Sequence, residues 1–209
     1  IDRPINGKRV LCLAAGGGKH GPLFARAGAI VTVVDISAEM LALDRKIASE
    51  LGVQVRTVEA SMDGLPMFAE SSFDVVVQPV STCYVPDVHK VYAEVARVLA
   101  GDGLYISQHK QPAAMQAEAV FNGRGYLITE LYRRESPLPV VHGDLAHRES
   151  GAMEFVHTWE DLIGGMCQAG FVIENLIEPR HSDQRAGYLP PFVTIKARRR
   201  RLRITLRGD

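Results

Sequence analysis

Short hydrophobic runs alternate with stretches of helical period along the first half of the chain. The runs are apolar at nearly every position and rich in valine and isoleucine, which is typical of strands buried on both faces. They predict strands at residues 9–14, 29–34, 53–58, 73–78 and 103–108. The segments between them predict helices at residues 20–27, 38–51 and 87–99. Ser37 stands where an N-cap of the second helix is expected. Apolar strands separated by helices indicate a doubly wound α/β fold with a parallel sheet.

The alternation breaks between residues 111 and 157. This stretch contains several prolines, the sequence "NGRGY" at 122–126 and little periodicity. It is far longer than the usual connection of about 4 to 6 residues. We therefore predict an insertion with structure of its own that covers a ligand. The hydrophobic residues expected to anchor it are Tyr126, Leu127, Ile128, Leu131 and Tyr132.

Regular patterning returns after residue 157. Thr158 and Asp161 form a capping box for a helix that ends at Gly170. Two further strands begin at residues 171 and 192, joined by a polar segment without a helical pattern, which favours an antiparallel pair. These elements predict one domain at residues 1–197, with 111–157 as a substrate cap. The arginines that follow begin a basic tail, 198–209, expected to be a solvated terminal segment.

Composition and charge narrow the class of protein. The chain has 209 residues, of which 46% are hydrophobic and 23% charged, an ordinary balance for a globular domain. Twenty-four basic residues balance 24 acidic ones, so net charge gives no reason to expect nucleic acid or an anionic membrane as a partner. No apolar run approaches the roughly 18 residues of a membrane span, and no signal peptide is recognised. Three widely spaced cysteines predict a reduced, cytoplasmic protein. The oligomeric state is left open.

A glycine loop, residues 14–18, follows the first predicted strand, and Asp35 ends the second. Glycines let backbone N–H groups approach a ligand that any Cβ would exclude, and the following helix directs its positive end at the same place. A carboxylate at the neighbouring strand end can accept the hydroxyl hydrogens of a ribose. The pair predicts a site for a nucleoside-containing cofactor. NAD(P)-dependent oxidoreductases share both features, although Pro22 interrupts the usual glycine spacing, and a ligand-free tight turn is a further alternative.

Later segments distinguish these alternatives. The first of these segments is "VTVVDIS", which follows the glycine loop. The others are "MDGLPMFAESSFDVVVQPVSTCYVPD", "VYAEVARVLAGDGLYIS", "GFVIENLIEP" and "PFVTIKAR". In this order the chain resembles the class I S-adenosylmethionine-dependent methyltransferases of the small-molecule type over nearly its whole length. The resemblance implies a Rossmann-like seven-stranded sheet of order 3-2-1-4-5-7-6, with strand 7 antiparallel and the insertion after strand 5. It implies S-adenosylmethionine as cofactor.

The resemblance also implies which residues bind that cofactor. The glycine loop and His20 would contact its methionine part, Asp35 its ribose, and residues 61–63 its adenine. The full set is Ala14, Gly16, Gly18, His20, Asp35, Ile36, Ser61, Met62, Asp63 and Gln78. The chain departs from the family at Cys12 and Ser61, where acids are common, and at Ala14, where a glycine is common.

A sulfonium methyl group is intrinsically electrophilic, so positioning and exclusion of water are the main requirements, with a histidine base for a weak nucleophile. Tyr84, after the fourth strand, and His109, after the fifth, are the predicted catalytic residues because ligands bind beyond the carboxyl ends of such strands. His142, His147 and His157 could reach the same pocket from the insertion, but each is expected to be a surface or structural residue. The irregular "HGDLAH" segment fixes no metal geometry, so no metal is predicted.

The acceptor is predicted to be a small molecule. Residues 78–81 read Gln-Pro-Val-Ser, where nucleic-acid amino-methyltransferases of this fold often carry Asn-Pro-Pro-Tyr. Neutral net charge also disfavours a nucleic-acid substrate. Two alternatives stay open from the sequence: an NAD(P)-dependent oxidoreductase, and a nucleoside-binding or partner-binding module without catalytic activity.

Overall fold

The computed structural model describes residues 4–118, 120–143, 148–182 and 184–200. These residues form a seven-stranded sheet of order β3-β2-β1-β4-β5-β7-β6, which confirms the expected topology. The strands are β1 Arg9–Leu13, β2 Ile30–Asp35, β3 Val55–Glu59, β4 Phe73–Gln78, β5 Leu99–Lys110, β6 Phe171–Ile177 and β7 Phe192–Arg199. Strands β1 to β5 pair in parallel, whereas β7 is antiparallel to both β5 and β6.

Helices cover both faces of this sheet. They are α1 His20–Arg26, α2 Ala38–Glu50, α3 Val88–Val98, α4 Pro112–Gln116 and α5 Gly165–Gln168, the last preceded by a π-helical turn at Glu160–Gly164. Ser37 caps α2 by accepting a hydrogen bond from the Met40 N–H, as predicted. Thr158 and Asp161 form the predicted capping box, since each side chain accepts from the other's backbone N–H. None of the helices in these described ranges is long and apolar enough to cross a membrane.

The two faces of the sheet bury separate apolar clusters. One lies under α3 and α5 and is dominated by aromatic and leucine side chains such as Tyr92, Tyr105 and Phe171. The other lies under α1 and α2 and contains Cys12 and Leu41. Strands buried on both sides explain the nearly continuous hydrophobic runs in the sequence. Both clusters hold the sheet rigid beneath the strand ends, where the site is built.

Strand β7 continues through Arg199, two residues beyond the predicted domain end at 197. Arg198 pairs with Leu104 of β5, and its guanidinium donates to the Glu174 carboxylate and to the Asp102 carbonyl. The first two arginines of the predicted basic tail therefore belong to the sheet. Glu174 of β6 neutralises Arg198, and the Arg199 guanidinium donates to the Leu99 carbonyl. Residues 201–209 of that tail lie outside the described residues.

The insertion begins with α4, and the rest of its described residues are mostly irregular, with an isolated antiparallel bridge between Ala117 and Ile128. Met115, Leu138 and Val156 are buried with Cys83 in an apolar cluster of their own, which attaches the insertion to the strand ends. Three of the predicted anchors are wrong, since Leu127, Ile128 and Leu131 are 50%, 52% and 72% exposed. The other two make contacts: the Tyr126 ring packs on Tyr188, and the Tyr132 hydroxyl accepts from the Trp159 N–H. Hydrophobicity without a period did not indicate which side chains face inward.

Candidate functional site

The glycine loop carries Gly16 directly against Asp35. The Gly16 N–H donates to Asp35 Oδ2 at 2.8 Å, and the Ser37 N–H donates to Asp35 Oδ1 at 3.0 Å. A Cβ at Gly16 would stand 2.8 Å from Asp35 Oδ2 and 2.7 Å from the Met40 Cβ. Only glycine fits here, because the backbone approaches the carboxylate too closely for any side chain. A carboxylate has about four acceptor positions, so Asp35 retains capacity for a ligand.

The rest of the loop turns through left-handed conformations. Ala14 has φ +46°, Gly17 +114° and Gly18 +75°. The Ala14 conformation is one that glycine adopts without cost, consistent with a glycine being common there in the family it resembles. The Gly17 N–H points into the protein and donates to Asp44 Oδ2 at 2.8 Å. Two successive N–H groups of the loop are thus held by two different carboxylates.

A cavity of about 550 Å³ opens at the carboxyl ends of β1 to β4. Its volume is typical of sites for cofactors and drug-sized ligands. Its wall includes residues from the glycine loop, the end of β2, the 60–62 segment, the turn after β4 and the insertion. These residues are Ala14, Ala15, Gly16, Gly17, Lys19, His20, Asp35, Ile36, Met40, Leu43, Ala60, Ser61, Met62, Pro79, Val80, Ser81, Tyr84, Val85 and Glu149.

The structure thereby brings together most of the predicted site. The predicted residues in this wall are Ala14, Gly16, His20, Asp35, Ile36, Ser61, Met62 and Tyr84. Gly18, Asp63, Gln78 and His109 do not line it. A Cβ at Gly18 would meet Ile47 at 2.8 Å, so its role is to let the loop pack on α2. Asp63 accepts the Ser61 hydroxyl at 2.5 Å, so it holds a residue of the wall without lining the wall itself.

Gln78 lies buried behind the cavity wall instead of in it. Its amide N–H₂ donates to Ser81 Oγ at 2.9 Å and to Met62 Sδ at 3.2 Å, and its amide oxygen accepts the Tyr105 hydroxyl at 2.5 Å. The prediction of direct cofactor contact is corrected accordingly. Gln78 positions two wall residues, Met62 after β3 and Ser81 after β4.

The predicted position of His109, beyond the end of β5, is also wrong. Strand β5 extends through Lys110, so His109 lies within the strand, paired with Val193 of β7, and is fully buried. Its ring nitrogens are 2.8 Å from Thr82 Oγ1 and 2.7 Å from Ser107 Oγ. Burial, with the nearby His157, lowers its pKa to about 3. A neutral ring enclosed by hydroxyls and absent from the cavity wall does not contact an acceptor.

Tyr84 does face the cavity, and its partner was missed. Its hydroxyl donates to Glu149 Oε2 at 2.5 Å, and Glu149 also lines the cavity. Burial, together with the hydrogen bond to Glu149, raises the pKa of Tyr84, so the phenol stays protonated and donates. Glu149 stands in the aperiodic insertion, and nothing in its sequence neighbourhood distinguishes it from other acidic residues.

A buried ion-pair cluster fixes the segment that carries Glu149. The Glu154 carboxylate is fully buried and accepts from Lys110 of β5 and from Arg148. Arg148 also donates to the Pro139 carbonyl at 2.9 Å. Lys110 Nζ lies 5.8 Å from the centre of the Tyr84 ring. The cluster ties the insertion to the sheet immediately behind Tyr84 and Glu149.

The other histidines have distinct places. His20 lines the cavity at the start of α1, and burial, reinforced by Lys19, lowers its pKa. His157 is buried with Nε2 2.9 Å from the Thr82 carbonyl oxygen, and burial lowers its pKa too. His142 is exposed, and His147 lies outside the described residues. Across the described ranges, no three His, Cys, Asp or Glu side chains cluster in a way that could hold a metal ion.

Comparisons with known proteins identify the family of this chain. Residues 11–107 match a family model described as a methyltransferase domain. The chain is 39% identical over 180 residues to the uncharacterized methyltransferase YbaJ of Bacillus subtilis, covering 85% of this chain and 71% of YbaJ. It is 31% identical over 180 residues to the methyltransferase phqN of Penicillium fellutanum, covering 80% of this chain and 47% of phqN.

A solved structure shows the same fold. The S-adenosylmethionine-dependent methyltransferase of Mesorhizobium loti superposes with a TM-score of 0.76 at 23% identity, covering 94% of this chain and 93% of that one. The relatives decide against the NAD(P)-dependent oxidoreductase and the non-catalytic module. The glycine cradle at Asp35 fits a ribose-containing cofactor. The chain therefore belongs to the class I S-adenosylmethionine-dependent methyltransferases.

Proposed function

We propose that this methyltransferase transfers the methyl group in line to a small-molecule acceptor at the Tyr84–Glu149 side of its cavity. The observation that carries the proposal is that Tyr84 and Glu149 line the same cavity as Gly16 and Asp35. Cofactor and acceptor would thus share one chamber. Glu149 belongs to the insertion, residues 111–157, which we propose acts as a substrate cap.

The cofactor would lie along the strand ends. In this proposal Asp35 accepts the ribose hydroxyls, the Ser61 hydroxyl and the Met62 backbone border the adenine, and the glycine loop with His20 contacts the methionine part. When bound, the cofactor supplies a methyl carbon attached to a sulfonium, which is electrophilic without acid catalysis. The chain then needs to orient the acceptor and exclude water.

Tyr84 and Glu149 provide that orientation. The Tyr84 hydroxyl donates to Glu149, leaving the other carboxylate positions able to accept a hydrogen bond from the acceptor's O–H or N–H group. A nucleophile held in this way keeps its lone pair available for attack, and Glu149 is the group placed to receive its proton. No buried histidine is needed for this step.

A small acceptor is favoured by size and charge. An insertion side chain in the cavity wall suits an enclosed ligand, and Glu149 places a negative charge where a nucleic-acid phosphate would be repelled. We also propose a cytoplasmic location, supported by cysteines that are all free.

The test uses S-adenosylmethionine with a labelled methyl group and an extract of cellular metabolites and macromolecules. We expect label in the ultrafiltrate containing small molecules, with Glu149→Gln incorporating about tenfold less. Label recovered in RNA or protein instead would overturn the small-molecule proposal. Glu135→Gln, an exposed acid of the same insertion, is the matched control and should transfer like the wild type.

A further inference from the structure

Asp44 of α2 is a fully buried carboxylate beneath the glycine loop. Its Oδ2 accepts the Gly17 N–H at 2.8 Å, whereas Oδ1 has no hydrogen-bond partner among the described residues. Buried carboxylates are costly unless they are fully paired. One oxygen of this buried carboxylate has a hydrogen-bond partner and the other has none among the described residues. Such an acid points to a role that contacts within the chain do not complete.

Asp44 packs against the glycine loop and the first turn of α1. A Cβ on Gly21 would stand 3.1 Å from Asp44 Oδ1, so the turn that carries His20 packs directly against the carboxylate. Burial raises the pKa of the Asp44 carboxyl, while the nearby Gly18 and Gly17 N–H groups lower it; Asp35 raises it further and His20 lowers it. Lys19 and His20 line the cavity above it.

Cys12 lies in the same apolar cluster, under α1 and α2. It lies in the middle of β1 and pairs with Val33 and Val77. Class I methyltransferases commonly carry an acid at this position. Burial, with the charge of Asp44, raises the pKa of the Cys12 thiol to about 12, so this position carries no charge. The acid absent from β1 has a counterpart on the facing helix.

We propose that Asp44 is a positioning residue for the methionine half of the cofactor, supplying from α2 the negative charge beneath the glycine loop that β1 lacks at Cys12. It fixes the Gly17 N–H and thereby the loop. Its charge, in a region from which water is excluded, favours a cationic ammonium group at the loop. This inference rests on the cofactor assignment and not on the identity of the acceptor.

The test compares two probes that differ only in the amino-acid part. S-Adenosylhomocysteine carries the ammonium and carboxylate, whereas 5′-methylthioadenosine lacks both. Asp44→Asn should weaken S-adenosylhomocysteine binding about tenfold, the range of one charge-assisted interaction, and change methylthioadenosine binding less than about twofold. Calorimetric titration measures both. Glu50→Gln, the same change at an exposed position of α2, should alter neither.

A second variant tests the replacement directly. Adding Cys12→Asp to Asp44→Asn returns an acid to the same cluster from the strand side, and we expect S-adenosylhomocysteine affinity within about threefold of wild type. If Asp44→Asn does not fold, the double variant carries the test, and its failure to fold or to bind S-adenosylhomocysteine overturns the proposal. Equal weakening of both probes by Asp44→Asn, or none of either, overturns it as well. Since no acceptor is present, these outcomes are independent of the small-molecule proposal.

Discussion

The proposed cofactor side and the proposed acceptor side of the cavity are built in different ways. On the cofactor side, Gly16 meets Asp35 across 19 residues and Gly17 meets Asp44 across 27, within one βαβα segment. On the acceptor side, Tyr84 meets Glu149 across 65 residues. The first side is held by backbone N–H groups on carboxylates, and the second by side chains attached to an irregular segment. Contacts within one short segment thus build the proposed cofactor side, whereas long-range contacts and ion pairs build the proposed acceptor side.

The most damaging change should be Gly16→Ala. The new Cβ would press on Asp35 Oδ2 at 2.8 Å and on the backbone-proximal Met40 Cβ, neither of which can easily move. Losing the N–H contact and the Asp35 orientation together should weaken S-adenosylhomocysteine binding about a hundredfold. Calorimetric titration measures this loss. Gly64→Ala, where a Cβ meets nothing within 4 Å, is the matched control; equal affinity for Gly16→Ala and wild type would show that the close approach is unimportant.

The corresponding change on the acceptor side is Glu154→Gln. It leaves the buried Lys110 without its carboxylate, and such a loss costs about 3 kcal/mol of unfolding free energy. Urea denaturation measures this value. S-Adenosylhomocysteine affinity of the folded variant should stay near that of wild type, because the ion pairs support only the insertion. A large loss of cofactor affinity would mean that the two sides are not separable.

The buried His109 makes stability depend on pH. In the unfolded chain a histidine binds a proton near pH 6.5, whereas the folded protein keeps His109 neutral down to about 3. Its contribution is full above pH about 6.5 and is lost as pH falls toward the folded value. Between pH about 7.5 and about 5 this loss should approach about 2 kcal/mol.

His109→Gln should remove that share of the slope and retain methyl transfer. Urea denaturation at the two pH values measures the slope, and incorporation of labelled methyl groups measures transfer. His142→Gln replaces an exposed histidine and should keep the wild-type slope. Abolished transfer in a folded His109→Gln would restore this residue as a catalytic candidate.

The smallest effect should come from Tyr84→Phe. Without the hydroxyl, Glu149 loses its donor and its orientation, and we expect methyl incorporation about tenfold lower with S-adenosylhomocysteine affinity within about twofold. Tyr126→Phe, in the insertion but outside the cavity wall, should leave both unchanged. Reduced cofactor affinity with normal transfer would place Tyr84 on the cofactor side of the cavity.

The same contrast explains what could be predicted. Gly16 and Asp35 were found from sequence because strand ends, glycines and a helix start lie close together along the chain and obey fixed geometric rules. The strand order came from the family resemblance and is confirmed. Asp44 was missed because an acid on an amphipathic helix looks like any solvated charge until the helix is docked.

Errors on the acceptor side have a different cause. His109 was placed beyond β5 because the apolar run ends at Gln108, but pairing with β7 carries the strand through Lys110 and buries both side chains. Glu149 and its supporting ion pairs depend on how an aperiodic segment folds back over the sheet. No periodicity or motif predicts the course of this segment over the sheet, so the sequence alone does not indicate these contacts.

The attachment of the insertion by Lys110, Glu154 and Arg148 has a consequence for the evolution of this enzyme. These ion pairs and one small apolar cluster hold the segment, whereas the sheet beneath it packs on separate, larger apolar clusters. If Glu149 holds the acceptor as proposed, substitutions near it can change the acceptor while leaving the cofactor-binding residues intact. Proteins that descend from one ancestral chain can then differ in substrate through this segment and still share the residues that bind the methyl donor.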